Sequence, residues 1–338
     1  MFKPGGPDPK MPRIITYSRN VFLPLTTVCR NRCGYCCFRT PVMEGCIMAP
    51  AEIDKVLRAG ASMGCTEALF TFGERPEEEA GFLEEIQKSG FNNILEYCHT
   101  LCSTSIRHGL LPHTNAGILS AEEMAYLKPV NASMGLMLET TADLPAHCNS
   151  PGKRPDVRIL MIEEAGRLRI PFTTGLLLGI GETMEDREES LEVIRDLHHR
   201  YDHIQEVIIQ NFCPKPGTPM AGYKEIYPEE MCQVIRLARE ILQKDIAIQV
   251  APNLADFATL IPCGVDDLGG VSPLTIDYVN PEHPWPQLDK IREKTRGFVL
   301  QERLCIYPKY IRRGWFSEEL EPLIRRLEQH ISTREPPS

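Results

Sequence analysis

The chain has 338 residues, of which 42% are hydrophobic and 25% are charged, a balance typical of a globular protein with a large core. Its formal net charge of −9 argues against a general nucleic-acid binder, and the lack of any apolar stretch of about 18 residues argues against a membrane span. The 13 cysteines follow no regular framework and the N-terminus lacks the apolar region of a secretory signal. We therefore expect a cytoplasmic protein with reduced thiols.

Segments with strand character alternate with segments of helical periodicity along most of the chain. The predicted strands cover residues 21–27, 68–72, 110–114, 132–138, 172–178, 204–209 and 246–250, with a possible eighth near 263–268. The predicted helices include one that opens at Pro50, a short one capped by Ser120, and others over about 92–107, 155–165, 184–199, 228–243 and 317–331.

This alternation indicates βαβ units around a parallel sheet. Seven or eight strands predict a (β/α) barrel, complete or partly open, over residues 14–270. A doubly wound sheet is the alternative, although no early Gly-x-Gly-x-x-Gly loop supports it. Residues 1–13 are rich in Gly and Pro and are expected to be flexible. The pattern weakens later, so we expect residues 271–338 to form a C-terminal extension that closes or covers the barrel.

Three cysteines, Cys29, Cys33 and Cys36, follow the first predicted strand at C-x3-C-x2-C spacing. Their loop therefore lies at the carboxyl end of a strand, where α/β folds carry their sites. Soft thiolates select zinc, Cu(I) or iron–sulfur clusters. Structural zinc takes four ligands, and no second C-x2-C pair is present. Three cysteines on a four-iron cluster would leave one iron open to another ligand.

None of the other cysteines is predicted to be a ligand, and all of them except Cys37 are expected to be small buried side chains. Cys37 follows the third cysteine directly and should point away from it, since neighbouring residues of an extended segment point apart. The remaining ones are Cys46, Cys65, Cys98, Cys102, Cys148, Cys213, Cys232, Cys263 and Cys305.

Polar side chains near the ends of the later strands are candidates for substrate contacts. Carboxylates in such loops can act as acids or bases or bind hydroxyl groups, although acids beside a glycine pair are also common turn formers. The acids, together with Asn253, are expected to line the barrel opening opposite the cysteines. The candidates are Asn115, Asn211, Asn253, Asp266 and Asp267.

The cysteine loop, with the aromatic Tyr35 before its last cysteine, resembles the motif of the radical S-adenosylmethionine (SAM) enzymes. Residues 16–36, 171–183 and 267–273 together are similar to the smaller-subunit family of 7,8-didemethyl-8-hydroxy-5-deazariboflavin synthase. This resemblance covers about residues 14–310. It implies a radical SAM barrel in which Cys29, Cys33 and Cys36 hold a 4Fe-4S cluster whose open iron binds SAM.

The resemblance also implies which residues contact SAM. Gly73 and Glu74 resemble the Gly-Gly-Glu-Pro motif whose carboxylate accepts from the methionine ammonium group. The match is imperfect, because Phe72 replaces the first glycine and Arg75 separates Glu74 from the proline.

Three further contacts to SAM are expected. Glu139, at a strand end, suits the ribose hydroxyls, and Arg158 could meet the methionine carboxylate. Gly179 and Gly181 are similar to a segment that flanks the adenine in biotin synthase-like enzymes. Without the resemblance, these positions read as a capping acid, a solvated helix residue and a glycine-rich turn.

The implied reaction is formation of the deazaflavin chromophore by a radical SAM lyase. The substrate would be a hydroxybenzyl–ribityliminouracil adduct, which cyclises with loss of ammonia. A partner radical SAM subunit would supply this adduct, and a ferredoxin or flavodoxin would supply the electron.

Two other hypotheses stay open. The chain could be another biotin synthase-like radical SAM enzyme, of the menaquinone-pathway or hydrogenase-maturation type. It could also be a non-catalytic iron–sulfur or zinc scaffold, in which case Glu74, Glu139 and the glycines would have no role in binding SAM.

Overall fold

A parallel sheet closes into a barrel at the centre of the fold. The computed structural model describes residues 13–334, so almost all of the segment predicted to be flexible lies outside the described residues. Strands β1 to β8 follow in order around the sheet, and β1 pairs with both β2 and β8. The predicted (β/α) barrel is confirmed and is complete, and the doubly wound alternative is wrong. The strands are β1 Ile14–Thr26, β2 Glu67–Phe72, β3 Leu111–Asn115, β4 Ser133–Gly135, β5 Phe172–Leu178, β6 Ile204–Asn211, β7 Ala247–Gln249, β8 Asp267–Val271 and β9 Val299–Glu302.

Helices surround the barrel and bury their apolar faces against it. Pro50 occupies the first turn of α1, where its missing N–H costs nothing. Ser120 and Glu123 form a capping box at the start of α4. The helices are α1 Pro50–Ser62, α2 Phe82–Lys88, α3 Ile94–His108, α4 Ala121–Leu127, α5 Pro155–Arg167, α6 Met184–Tyr201, α7 Pro228–Ile241, α8 Phe257–Leu260, α9 Leu288–Lys294, α10 Pro308–Arg312 and α11 Glu321–Arg334. None of the helices in residues 13–334 is long and apolar enough to cross a membrane.

The first strand begins earlier than predicted, at Ile14 rather than at residue 21. Its amino-terminal half carries Ser18 and Asn20, which are only 1% and 2% exposed. Both side chains line the barrel interior. A search for apolar runs overlooks such residues, because here the buried face of the strand is polar.

A segment after β8, residues 272–287, lies over the carboxyl ends of the strands and is called the mouth segment below. The backbone N–H of Phe22 donates to Thr275 Oγ1 at 2.8 Å, and Asn253 Nδ2 donates to Asp277 Oδ2 at 2.9 Å. The Cys37 thiol points to the carbonyl of Val279 at 3.5 Å. The chain then returns to form β9 beside β1, a strand that the sequence did not predict.

The amino-terminal end of the barrel is closed by a group of charged side chains, called the barrel floor below: Glu206, Asp267, Arg303 and Tyr307. Arg303 follows β9 and pairs with Glu206 and Asp267, each at 2.6 Å. Tyr307 Oη donates to Glu206 Oε2 at 2.9 Å. The two carboxylates therefore meet a buried cation inside the barrel. At this end, α10 and α11 pack a second apolar cluster against the barrel.

Six of the nine cysteines predicted to be buried are buried, whereas Cys46 and Cys232 are half-buried and Cys148 is exposed. Cys232 on α7 and Cys263 after α8 form a disulfide, so the expectation that both would be reduced is wrong. The disulfide could not be foreseen, since the two cysteines are separated by 31 residues and no spacing pattern links them.

Candidate active site

The cysteine loop leaves the barrel directly after β1. Cys29, Cys33 and Cys36 are all half-buried and free. The backbone N–H of Glu74, after β2, donates to Cys29 Sγ at 3.2 Å. The backbone N–H of Gly34 donates to the carbonyl of Ala146 at 2.7 Å, which ties the loop to the segment after β4. Neighbouring βα loops thus fix the position of the thiols at the carboxyl end of the barrel.

The number of thiols in the loop bears on what they can hold. Cys29, Cys33 and Cys36 are one ligand short of the four that a structural zinc ion takes. On a four-iron cluster, three cysteines leave one iron open to another ligand. The donor set therefore fits an iron–sulfur cluster better than a structural zinc ion.

Burial raises the pKa of the Cys29 and Cys36 thiols above their usual value. For Cys29, hydrogen bonds from the backbone at Asn31 and Glu74 oppose this shift only in part. Thiols of this kind are neutral at neutral pH and lose their proton when the sulfur binds a metal centre.

Glu74 lies next to Cys29 and is almost fully buried. Arg30 Nε donates to its Oε1 at 2.9 Å, and the backbone N–H of Ile118 donates to its Oε2 at 3.1 Å. Gly73 is required before it, because a Cβ there would lie 1.9 Å from the carbonyl oxygen of Val28. The structure therefore brings the two predicted residues, Gly73 and Glu74, against the cysteine loop.

Glu139 is the centre of a buried polar network at the end of β4. Its backbone has φ 68°, a left-handed conformation that a non-glycine residue rarely adopts. Tyr35 Oη donates to Glu139 Oε2 at 2.5 Å, and His147 Nε2 lies 3.1 Å from the same oxygen. Lys153 forms an ion pair with the other oxygen, and Arg158 Nη1 lies 3.8 Å from it.

This network keeps Glu139 ionised although it is buried. Burial alone would raise the pKa of its carboxyl, but the charges of Lys153 and Arg158 outweigh burial and hold the pKa well below its usual range. Burial and the carboxylate of Glu139 raise the pKa of Tyr35 well above its usual value, so the phenol remains a donor. The geometry thus presents one fixed anion at the cavity wall.

Arg158 is 3% exposed and not on a solvated helix face. Its Nε donates to the carbonyl of Gly152 at 2.9 Å, and its Nη1 donates to the carbonyl of Met137. The structure brings together the predicted residues Glu139 and Arg158. Sequence reasoning missed Lys153 and His147, which lie in an irregular segment whose only signal is its place directly after a strand-end acid.

The glycine-rich segment after β5 forms a turn that the chain holds by itself. Gly179 and Gly181 have φ 95° and 115°, which explains why glycine stands there. The N–H groups of Gly179 and Ile180 donate to Glu182 at 2.7 and 2.8 Å, and Arg187 pairs with the same carboxylate at 2.7 Å. Neither glycine lines the cavities described below, so their contact with adenine stays a prediction.

Two adjacent cavities lie inside the barrel and at its carboxyl end. The upper chamber, about 310 Å³, is lined by Tyr35, Cys36, Glu139, Lys153, Arg158 and Lys215 among others. The lower chamber, about 200 Å³, lies deeper, between the mouth segment and the barrel floor. The chambers share six lining residues, so one elongated molecule could occupy both: Asn115, Thr173, Ile208, Gln210, Val279 and Asn280.

The structure places the predicted substrate residues in different parts of the barrel. Asn115 lines both chambers and Asn211 lines the upper one, whereas Asn253 holds the mouth segment and lines neither. Asp266 and Asp267 do not line the opening opposite the cysteines, which corrects the expected placement. They lie at the amino end of β8, where Asp266 pairs with Arg13 and Arg239 and Asp267 belongs to the barrel floor. The two acids therefore engage cations of the chain itself.

Comparisons with known proteins agree with this geometry. Residues 23–194 match the Radical SAM superfamily. The 7,8-didemethyl-8-hydroxy-5-deazariboflavin synthase of Methanoculleus marisnigri is 66% identical over 320 residues, which cover 95% of this chain and 97% of that one. The enzyme of the same name from Methanoregula boonei is 62% identical and covers 95% of this chain and 98% of its own length.

A solved structure is similar in fold. The FeFe-hydrogenase maturase HydG from Carboxydothermus hydrogenoformans superposes with a TM-score of 0.66 at 16% identity, over 94% of this chain and 82% of that one. At this identity the likeness shows the barrel architecture alone.

Proposed function

Because the chain belongs to the radical SAM superfamily and, within it, to the family of 7,8-didemethyl-8-hydroxy-5-deazariboflavin synthases, we propose that it closes the deazaflavin ring of a hydroxybenzyl–ribityliminouracil adduct with release of ammonia. The family implies a 4Fe-4S cluster and SAM as cofactors. The observation that carries the proposal is the upper chamber, which is lined both by residues of the cysteine loop and by the Glu139 network.

Cys29, Cys33 and Cys36 would hold the cluster. When bound, the cluster supplies the electron that cleaves SAM and so starts radical chemistry. Glu74, fixed by Arg30 and the N–H of Ile118, would accept from the ammonium group of the methionine moiety. Arg158, whose remaining donors lie at the wall of the upper chamber, would meet the carboxylate of that moiety.

Glu139 would orient the ribose of SAM. Its carboxylate is ionised and fixed by Lys153, Arg158 and Tyr35, so it can accept from hydroxyl groups without rearranging. The mouth segment covers the carboxyl end of the barrel, and its contacts with Phe22 and Asn253 would exclude water from the reacting groups.

The adduct would come from a partner radical SAM subunit, and a ferredoxin or flavodoxin would be the electron donor. Arg30, Arg32 and Arg39 surround the outer side of the cysteine loop, each paired with an acid of residues 74–79. In this proposal, an acidic donor protein would compete with these acids for the three arginines.

An anaerobic assay tests the proposed function. The protein is reconstituted with iron and sulfide, reduced, and supplied with SAM, the partner enzyme, tyrosine and the ribitylaminouracil. We expect a fluorescent deazaflavin, and more 5′-deoxyadenosine than the partner enzyme forms alone. Additional deoxyadenosine without the deazaflavin would point to another biotin synthase-like reaction. No additional deoxyadenosine and no deazaflavin, from protein with a full cluster, would favour a non-catalytic scaffold.

A further inference from the structure

The lower chamber has an unusually polar lining for the interior of a barrel. Inward-facing side chains of several strands supply it, and the mouth segment closes its upper side. Its apolar walls come from Phe22, Leu69, Ile208 and Leu268. Its polar residues include Ser18, Asn20, Glu67, His113, Gln210 and Gln249. A packed structural core would use branched apolar residues here, so this lining indicates a binding chamber.

Two polar atoms of the lower chamber have no hydrogen-bond partner within residues 13–334. They are the acceptor Asn20 Oδ1, on a residue that is 2% exposed, and the donor Trp285 Nε1 from the mouth segment. Buried polar atoms are nearly always hydrogen-bonded, because leaving one unpaired costs about 1–3 kcal/mol. An unpaired acceptor and an unpaired donor, on residues that line the same chamber, point to a ligand that offers both kinds of group.

Glu67 adds a third polar group to the same wall. It is 6% exposed, and Ser18 Oγ donates to its Oε2 at 2.5 Å. No cation is within salt-bridge distance of it in the described residues, since Arg303 is held by Glu206 and Asp267. Burial raises the pKa of this carboxyl above its usual value, and hydrogen bonds from Ser18 and Asn20 oppose the shift. Glu67 therefore engages donors of the chain itself, beside the acceptor of Asn20.

We propose that the lower chamber binds the pyrimidinedione ring of the substrate, and that Asn20 and Trp285 determine its specificity. A pyrimidinedione carries a C=O, N–H, C=O edge, whose N–H would donate to Asn20 Oδ1 and whose C=O would accept from Trp285 Nε1. The flat ring would pack between the apolar walls, and the rest of the molecule would extend into the upper chamber. This inference rests on the proposed function, because the ring is identified from the product of the family.

Binding of the product, 7,8-didemethyl-8-hydroxy-5-deazariboflavin, to the reconstituted enzyme tests the inference. The dissociation constant is measured from the fluorescence anisotropy of the product itself. Asn20→Leu removes the acceptor at similar volume, and Trp285→Phe removes the N–H but keeps an aromatic ring. Glu84→Gln, on an exposed position of α2, serves as the control.

We expect Asn20→Leu and Trp285→Phe each to weaken product binding about 5- to 10-fold, as for a lost neutral hydrogen bond of about 1 kcal/mol. Glu84→Gln should not change it. The affinity for SAM and the melting temperature, measured on every variant, should stay within twofold and a few degrees of the wild type. A retained SAM affinity separates loss of ring binding from loss of fold.

Unchanged product binding in both Asn20→Leu and Trp285→Phe would overturn the inference. So would displacement of the product by ribitol alone, since the chamber would then hold the ribityl chain instead of the ring. If the wild type binds the product as described but forms no deazaflavin in the assay above, the proposed reaction fails while the ring-binding chamber stands.

Discussion

The barrel floor and the upper chamber are both buried and charged, but they differ in what they leave unsatisfied. At the floor, Arg303 meets Glu206 and Asp267, and Tyr307 completes the group. Beside the upper chamber, burial raises the pKa of the half-buried Cys29 and Cys36 thiols, and the charge of Lys153 offsets this shift only in part for Cys36. The floor therefore holds the fold together, whereas the upper chamber is arranged for a group that the chain does not supply.

The Glu139 network lies between these two extremes. Its anion is neutralised by Lys153 and Arg158, yet its backbone is in a rarely populated conformation. A purely structural ion pair needs no such strain, which costs about 1–3 kcal/mol. Strain together with a wall position in the upper chamber favours a binding role for Glu139.

The largest expected effect comes from the cysteine loop. Cys33→Ala should abolish cluster binding and all deazaflavin formation, because three thiolates are the fewest that fit a four-iron cluster with one open iron. Iron content and 5′-deoxyadenosine measure the loss. Cys37→Ala is the matched control, since that thiol points to Val279. A variant Cys37→Ala that lost its iron would show that the ligand assignment is wrong.

At the barrel floor, Arg303→Met should lower the free energy of unfolding by about 3–5 kcal/mol, because it leaves two buried carboxylates without their cation. Denaturant unfolding measures this loss. The triple variant Arg303→Met, Glu206→Gln, Asp267→Asn should recover part of it, since it removes the stranded charges as well. A change below about 1 kcal/mol in Arg303→Met would mean that the floor does not hold the fold together.

Glu139→Gln should act on binding more than on stability. Loss of a charged hydrogen bond of about 1.5–3 kcal/mol corresponds to roughly 10- to 100-fold weaker binding of SAM. Isothermal titration of SAM on the reconstituted protein measures it, with Glu164→Gln on the exterior helix α5 as control. Unchanged SAM affinity would remove Glu139 from the cofactor site and leave it as a structural acid.

A smaller effect, on stability alone, is expected from His203, which directly precedes β6 and lines neither chamber. It is fully buried and its Nε2 donates to the carbonyl of Ile162 at 2.8 Å. Burial lowers its pKa to about 3. In the unfolded chain the pKa of this histidine is about 6.5. Between this pH and the lower pKa of the folded chain, only the unfolded chain takes up the proton, so the free energy of unfolding falls as pH falls.

The contribution of His203 is at most about 1.4 kcal/mol per pH unit. The free energy of unfolding, measured from pH 6.5 to 4.5, should therefore fall less steeply in His203→Gln than in the wild type. Equal slopes would mean that the histidine is protonated in the folded chain.

The sequence predicted the barrel and the cofactor side of the site because both have local signals. Alternating strands and helices define the barrel, and Cys29, Cys33, Cys36, Glu74 and Glu139 all lie in segments that follow strands. The substrate side carries no such signal. Asn20 and Glu67 lie within strands, and the mouth segment and β9 reach the barrel only through tertiary contacts.

Asp266 and Asp267 show why the position of a strand along the sequence matters. The predicted eighth strand, near 263–268, would place both acids at its carboxyl end. The observed strand β8 spans Asp267–Val271, so both acids lie at its amino end. Here both side chains lie at the amino end, with Arg239 and Arg303 as partners. Only the register of β8 against β1 determines that outcome.

The central claim is that the three thiols of the cysteine loop hold a four-iron cluster whose open iron binds SAM. Electron paramagnetic resonance of the reduced, reconstituted protein tests it most directly, with and without SAM. We predict a 4Fe-4S signal that changes on addition of SAM in the wild type and that is absent in Cys33→Ala. A wild-type signal that SAM leaves unchanged, or a protein that takes up zinc and forms no cluster, would contradict the account.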